Sequence, residues 1–554
     1  MPLPVPPPLG HAIPYSRHAV SVQLPTWVDM CGMAHGEDRV KRALRIGYPR
    51  SFIQGDVRDL VARCVKRYAS MDQTCLLFPS LEHASACEAF VQSQKDNDGK
   101  SYDSCVVRAI DFSTDSSLDL GHVGKGYSTA QHIRLYATFF PAVDFPVALK
   151  FWRLTGTGIS SRLAEDLLAN TNLSVDTGGP NQALQIHGAG PWTQDIIRQR
   201  IASLLNRTSF PGYQGLEIGA SDIFLFPTGM SAIYHCNKLL NQWRGGQSIV
   251  FGFPYELTLK LVETFGKSCK FYGFGTPDEL EDLEAYLHTE TENGRWIQAI
   301  WCECPSNPLL RTVDLDRIRQ LADQYRIPVV VDETIGTFAN VDVSPVADIV
   351  ITSLTKTFSG YLDVMAGSII LNPASTFYAK FRKILSTYPN GLYEPDAVQL
   401  ECNSRDFLPR AAKMNDTAMA LVSNLYPHVS TPGSILTNIY YPCTCWSAEN
   451  YRARMRPHTP EFKPGYGCLF TLEFTSVATA TRFFDALDVH KGPSLGGNLT
   501  LAQPYVQTVF FREKEWAARY GLKESIIRIS VGLEEVDDLL DAFGHALRVA
   551  SNAE

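Results

Sequence analysis

A chain of 554 residues, 45% hydrophobic and 19% charged, is long enough for two or more domains with sizeable cores. A formal net charge of −8 without any Lys/Arg run argues against a nucleic-acid partner, and no apolar stretch approaches the ~18 residues that cross a bilayer. Thirteen cysteines are too sparse here for a disulfide scaffold, and the pairs Cys302/Cys304 and Cys443/Cys445 lack a second ligand pair, so reduced thiols in a cytoplasmic protein are expected, and no metal.

Residues 1–145 read as an N-terminal extension. Its start, "MPLPVPPPLGHAIPYSRHAV", is proline-rich without the apolar stretch of a signal peptide, and "PLPVPPPLG" is expected to be extended and mobile. "DRVKRALRIGYPRSFI" and "VRDLVARCVKRYAS" read as helices, and "QTCLLFPS" followed by "LEHASACEAFVQSQ" as strand then helix. No catalytic constellation shows in this stretch.

From 146 to 405, strands alternate with helices: "DIFLFP" then "GMSAIYHCNKLLNQW", "SIVFGFP" then "ELTLKLVETFG", "CKFYGF" then "PDELEDLEAYLHT", "WIQAIWCECP" then "DLDRIRQLADQY". Three β-rich runs follow, "IPVVVDET", "ADIVITS" and "AGSIILNP". That alternation predicts an α/β domain with a mostly parallel sheet covered on both faces. The "GTG" at 156–158 is not a dinucleotide fingerprint, since no strand–turn–helix with G-x-G-x-x-G surrounds it. From 406 to 554, strands "CLFTLEF" and "IIRISVG" with helices "SVATATRFFDALD" and "EEVDDLLDAFGHALRVA" predict a smaller α+β domain.

The chemistry gathers at strand ends, the edge where open α/β sheets bind ligands. Lys356 lies just past the buried strand "IVITS", with Ser353 and Thr355 beside it. A lysine in such a place is either reaching water or reacting. Asp332 ends "IPVVVD". After "DIFLF", Thr228, Gly229 and Met230 open a helix, whose amides and dipole make a phosphate seat. A lysine for a Schiff base, an acid for a pyridine nitrogen and an anion site are the parts pyridoxal 5'-phosphate (PLP) needs.

The set "FPTGMSAI", "ECPSNPLLRTVDL", "VVVDET", "SLTKTFSG…DVMAGSIIL" and "IIRISVGLEEVDDL" resembles the Cys/Met metabolism PLP-dependent enzymes, the family of cystathionine γ-synthases and γ-lyases. The likeness is greatest to fungal cystathionine γ-synthase-like proteins, which also carry an extension resembling "HAVSVQLPTW" and "RALRIGYPRSF". The resemblance implies the aspartate-aminotransferase-like fold type I. It implies that Lys356 carries the Schiff base and shuttles protons, that Asp332 meets the pyridine nitrogen with Thr334 beside it, and that Asn307 lies near the ring hydroxyl. Gly229 and Met230 would offer amides to the phosphate, and Ser353 and Thr355 hydroxyls. Tyr255 would stack on the ring and count with Lys356 among the catalytic residues. Arg528 would clamp the substrate carboxylate with help from Ser494. Arg153 would reach the phosphate from a neighbouring subunit, in a homodimer or homotetramer with shared active sites.

The reaction implied is γ-replacement on an O-acyl-L-homoserine such as the O-acetyl ester. Cysteine as nucleophile gives cystathionine, on the way to methionine. Sulfide or a carbon acid as nucleophile, in fungal secondary metabolism, and a γ- or β-lyase remain alternatives. Three departures stand out. Phe151 occupies the place of the tyrosine that usually precedes the phosphate arginine. Leu499 stands where enzymes acting on cystathionine tend to have a glutamate, and Glu333 replaces the asparagine of "DNT". Leu499 predicts a more apolar pocket facing Cγ, with Glu333 as a compensating acid.

Overall fold

The computed structural model describes residues 5–49, 51–94, 105–113, 132–170, 172–175, 192–207, 217–389 and 391–552. Its centre is a seven-stranded sheet in the order Ile223–Phe226, Gly367–Leu371, Ile349–Thr352, Val329–Asp332, Ile297–Glu303, Gln247–Phe251, Ser268–Tyr272. Only Gly367–Leu371 runs against the others. Successive residues of a strand point to opposite faces, and here both faces are apolar. Val329 and Val331 join one core and Val330 the other; Ile300 and Cys302 face the first, Ala299 and Trp301 the second. The strands therefore read as unbroken hydrophobic runs. Their shared direction brings Phe226, Glu303, Asp332 and Thr352 to one edge.

The C-terminal part forms a five-stranded sheet, in the order Leu436–Tyr440, Leu469–Phe474, Ile526–Ser530, Leu501–Gln503, His490–Lys491, backed by helices Val477–Ala486 and Val536–Ser551. In its middle strand Ile527 and Ile529 enter the core beneath, so Arg528 faces the other way, toward the large sheet's ligand edge.

The first part of the chain forms the helix read in "VRDLVARCVKRYAS" and the strand and helix read in "QTCLLFPS" and "LEHASACEAFVQSQ", within a larger unit. A four-stranded antiparallel sheet, in the order Gln73–Phe78, His132–Pro141, Val106–Ser113, Asn172–Val175, packs with helices Gly55–Tyr68, Leu81–Ser93, Phe145–Thr155 and Ser161–Asn170. Ahead of it, residues 5–49 lie across the C-terminal part. The expectation of a mobile proline-rich start gives way at Gly10, whose amide donates to Gln23 O at 2.9 Å. Val22, Leu24, Trp27, Met30 and Val40 are buried in the C-terminal core. Trp27 meets Phe484 edge-on, and its amide donates to Asp485 Oδ1 at 2.7 Å. The helix predicted through "DRVKRALRIGYPRSFI" stops at Ala43, because Leu44 turns extended (ψ 111°). Pro49 and Gly47 oppose its continuation. At Gly47 a Cβ would stand 2.4 Å from the Phe52 Cβ, so only glycine permits this bend.

Candidate active site

A cavity of about 560 Å³ opens at the ligand edge of the large sheet. Lys356, Asp332, Thr334, Ser353, Thr355, Gly229, Met230, Tyr255, Asn307, Arg528 and Arg153 all line it, although they come from strand ends and loops far apart in the chain.

The helix Gly229–Trp243 begins there. Thr228 caps it, its hydroxyl accepting from the Ser231 amide at 2.9 Å and donating to Gly156 O at 3.0 Å. Such a cap is worth about 1 kcal/mol, and it leaves the amides of Gly229 and Met230 without partners inside the helix. A Cβ on Gly229 would lie 2.7 Å from the Ser353 Cβ, so the helix start and the lysine loop touch only because residue 229 is glycine. Ser353 is held by its amide, which donates to Thr334 Oγ1 at 2.8 Å. Thr355 donates its hydroxyl to Ala366 O at 3.2 Å and accepts from the Ala366 amide at 3.1 Å, which ties the side chain to backbone.

Asp332 accepts the Thr334 amide at 2.8 Å. Opposite it in register stands Glu303, which accepts the Tyr255 amide at 2.7 Å and so fixes the start of the Tyr255 loop. Burial raises both carboxyls above their usual range, and the Asp332 charge further opposes ionisation of Glu303.

Arg528 is buried. Its guanidinium donates to Asn307 Oδ1 at 3.3 Å, to the carbonyls of Pro493 and Ser494 at 3.0 and 3.1 Å, and to Gln503 Oε1 at 2.5 Å. All four acceptors are neutral. Burial lowers its pKa, and Tyr505, Tyr48 and Glu256 nearby oppose that. Ser494 serves through its carbonyl; its hydroxyl is buried without a hydrogen-bond partner.

Several positions differ from their sequence reading. Arg153, expected from a neighbouring subunit, lines the cavity of its own chain, because the helix Phe145–Thr155 packs against the helix that starts the phosphate seat. Phe151 is fully buried and edges onto Phe78, Tyr234 and Phe265, so this side chain has no part in the cavity. Leu499 packs with Ile13, Val20 and Leu362 in a separate cluster instead of lining the cavity. Glu333 is buried and accepts the Thr352 hydroxyl at 2.7 Å, so it is no compensating acid. Besides Asp332, Glu303 and Glu513, the cavity is lined by Glu256, at the first position of the helix Glu256–Phe265. Its Oε2 is buried without a hydrogen-bond partner. Burial pushes the carboxyl up to about 7, against the pull of Lys260, Arg153 and Arg528. Sequence reasoning also missed Tyr48, whose hydroxyl accepts from Lys356 Nζ at 2.9 Å.

Residues 214–548 match the model of the Cys/Met metabolism PLP-dependent enzymes, and residues 56–160 that of the N-terminal domain of fungal trans-sulfuration enzymes. The chain belongs to the Cys/Met metabolism PLP-dependent enzyme family. Among curated members it is 37% identical to alanine racemase ungC of Aspergillus violaceofuscus, over 98% of this chain and 96% of that protein. It is 36% identical to cystathionine gamma-synthase of Neurospora crassa, over 98% of each. The fold matches that of a cystathionine gamma synthase from Xanthomonas oryzae pv. oryzae solved with aminoacrylate and cysteine: TM-score 0.55, 22% identity, 69% of this chain and 92% of that one. This is therefore a PLP-dependent enzyme of fold type I.

The residues present fit that cofactor. Two carboxyls that burial holds from ionising suit a protonated ring nitrogen, which brings the missing cation. The amides of Gly229 and Met230 start a helix at the cavity wall and suit an anion there. A buried guanidinium with only neutral acceptors retains its charge for a carboxylate.

Proposed function

We propose that the enzyme catalyses γ-replacement on an O-acyl-L-homoserine with cysteine as nucleophile, forming cystathionine. The observation that carries the choice of cysteine is Glu256. An incoming cysteine brings an ammonium that needs a partner once desolvated. Glu256 supplies a carboxylate in the cavity beside Arg528, the role that Leu499 and Glu333 cannot fill from where they lie.

When bound, PLP supplies the electron sink that makes the amino acid's Cα acidic. The remaining work is done by side chains. Gly229 and Met230 amides with Arg153 take the phosphate. Asp332 keeps the ring nitrogen protonated, and Tyr255 covers the ring. Arg528 grips the substrate carboxylate by its planar fork, which orients Cα toward Lys356. Lys356 would hold the cofactor and, as a free amine within the cavity, would take the Cα proton. The net change would be substitution at Cγ: the acyloxy group would leave as the carboxylic acid with the thiol proton, the cysteine sulfur would take its place, and the protons lent by Cα and Cβ would return to them. Thirteen free cysteines support a reducing, cytoplasmic setting.

A second reading is amino-acid racemisation, in which the proton returns to the opposite face of Cα. It draws on the 37% identical relative named an alanine racemase. One experiment separates the readings. O-acetyl-L-homoserine is offered with equimolar cysteine, sulfide and acetoacetate, and L-alanine is incubated in parallel in D₂O. Dominant cystathionine with unchanged L-alanine is expected. A dominant sulfide or carbon–carbon product replaces cysteine as the nucleophile, 2-oxobutanoate without an adduct makes the enzyme a lyase, and deuterated D-alanine without any replacement product makes it a racemase.

A further inference from the structure

The segment ahead of both family matches reaches the reacting lysine. Residues 5–49 dock on the C-terminal part through buried side chains and the Leu24 amide, which donates to Lys491 O at 2.9 Å, and on the loop after Lys356 through the Val20 amide, which donates to Leu362 O at 2.7 Å. Val20, Met33, Ala34 and Tyr48 of this segment line the cavity. The loop after helix Asp38–Ala43 turns at Gly47 and sets the Tyr48 hydroxyl 2.9 Å from Lys356 Nζ, with the ammonium 4.8 Å from the ring centroid. Tyr48 also lies near enough to Arg528 and Tyr505 to influence the charge of both. It therefore touches the lysine and lies in the neighbourhood of the guanidinium.

We propose that Tyr48 is a positioning residue for Lys356, and that the N-terminal segment carrying it is a working part of the active site. A lysine side chain has four rotatable bonds, and fixing it costs up to about 2 kcal/mol of rotamer entropy. A hydroxyl that accepts from Nζ, and a ring face beneath the charge, hold the amine at one point of the cavity. Lys356 returns to the free amine each time the incoming amino acid displaces it from the cofactor, so this contact is remade in every turnover. The hydroxyl accepts from the protonated amine and donates to the neutral one, so it serves both proton states of the lysine. Asp332, Glu303, Glu256, Tyr255, Arg153 and Arg528 line the same cavity, so the Tyr48 contribution must be read as a difference between variants. The inference concerns the lysine alone and stands whichever nucleophile the enzyme takes.

The test is Tyr48→Phe, which keeps the ring, its packing and the cation–π contact and removes only the hydroxyl. In cofactor-free protein at pH 7, an amine-acylating reagent labels Lys356, followed by peptide mass spectrometry. Without the hydroxyl the amine loses its hydrogen bond and is no longer held at one point, so the labelling rate is expected to rise at least threefold while labelling of Lys260 stays unchanged. In loaded enzyme, kcat is expected to fall tenfold or more with KM for the amino acid within about twofold, a change equal to about 1.4 kcal/mol of barrier. Unchanged Lys356 labelling and unchanged kcat would make the contact mere packing and overturn the proposal. Should Tyr48→Phe unfold the loop, shown by lost protection of residues 44–49 in hydrogen exchange, Tyr48→His decides instead. It offers a ring nitrogen in the same region: partial recovery of kcat over Tyr48→Ala supports the hydroxyl's role, and kcat equal to Tyr48→Ala refutes it.

Discussion

At the scale of single residues, carboxyl groups carry the sharpest expectations. Asp332→Asn keeps the size of the side chain and removes the charge that the ring nitrogen needs. At least a tenfold loss of kcat is expected, more than about 1.4 kcal/mol of barrier, with only modest loss of bound cofactor. Retained kcat would remove Asp332 from this role. Glu256 sets a pH dependence. Its carboxyl ionises near 7, because burial disfavours the charged form. Pairing with an ammonium needs the carboxylate, so the contact is absent below about pH 7 and present above it. KM for cysteine is expected to fall as pH rises through that range in the native enzyme, and Glu256→Gln should lose this fall while its own thiol-linked limb remains. Identical pH profiles in the two proteins would free Glu256 of the assignment. Lys356 and Asp332 were legible as sequence because each ends a β-branched run, and a charged residue at a buried strand's end is visible without any tertiary information. Tyr48 was not. It lies 308 residues from the lysine it touches, and "RIGYPRSF" has only its glycine and proline to suggest that a helix fails there.

Among elements, the helix Gly229–Trp243 and the segment 5–49 matter most. The first was read from "GMSAIYHCNKLLNQW" with the observed limits, since an N-cap threonine and a long amphipathic run are local signals. Its close approach to the lysine loop leaves no room for a methyl group at 229. Gly229→Ala is expected to weaken PLP binding at least tenfold, measured by equilibrium titration of the visible band, because the helix start must shift off Ser353. Unchanged affinity would show that the loop yields freely. Docking of the N-terminal segment after Gly10 was not legible, because its buried residues follow no helical or strand period; their order is set by the surface they cover. Trp27→Ala removes a nearly buried indole from the interface with Phe484. A loss of about 3–5 kcal/mol in unfolding free energy is expected, together with lowered kcat as Tyr48 loses its anchor. Lost stability with full kcat would separate docking from catalysis.

On the scale of the whole molecule, the parts of one chain meet at one cavity: the large sheet's strand ends, Arg528 from the C-terminal sheet, Arg153 from a helix packed with the four-stranded sheet, and Tyr48 from the leading segment. Alternation of strand and helix announced the large sheet because covering both faces demands apolar runs. Which arginine reaches which phosphate seat is a matter of how separate parts pack, and no local pattern encodes it. The intrachain position of Arg153 has a consequence for mixed assemblies. Chains carrying Lys356→Ala and chains carrying Arg153→Ala, unfolded and refolded together, are expected to recover no activity, since neither chain holds both groups. Recovered activity would mean that the arginine crosses between subunits after all. The most direct test of the site as a whole is to reduce the purified yellow enzyme with borohydride, digest it and map the phosphopyridoxyl group. The label is expected on Lys356 and to vanish in Lys356→Ala. A label on any other lysine, Lys260 in the same cavity above all, would contradict the assignment of this strand end as the place where the cofactor is held.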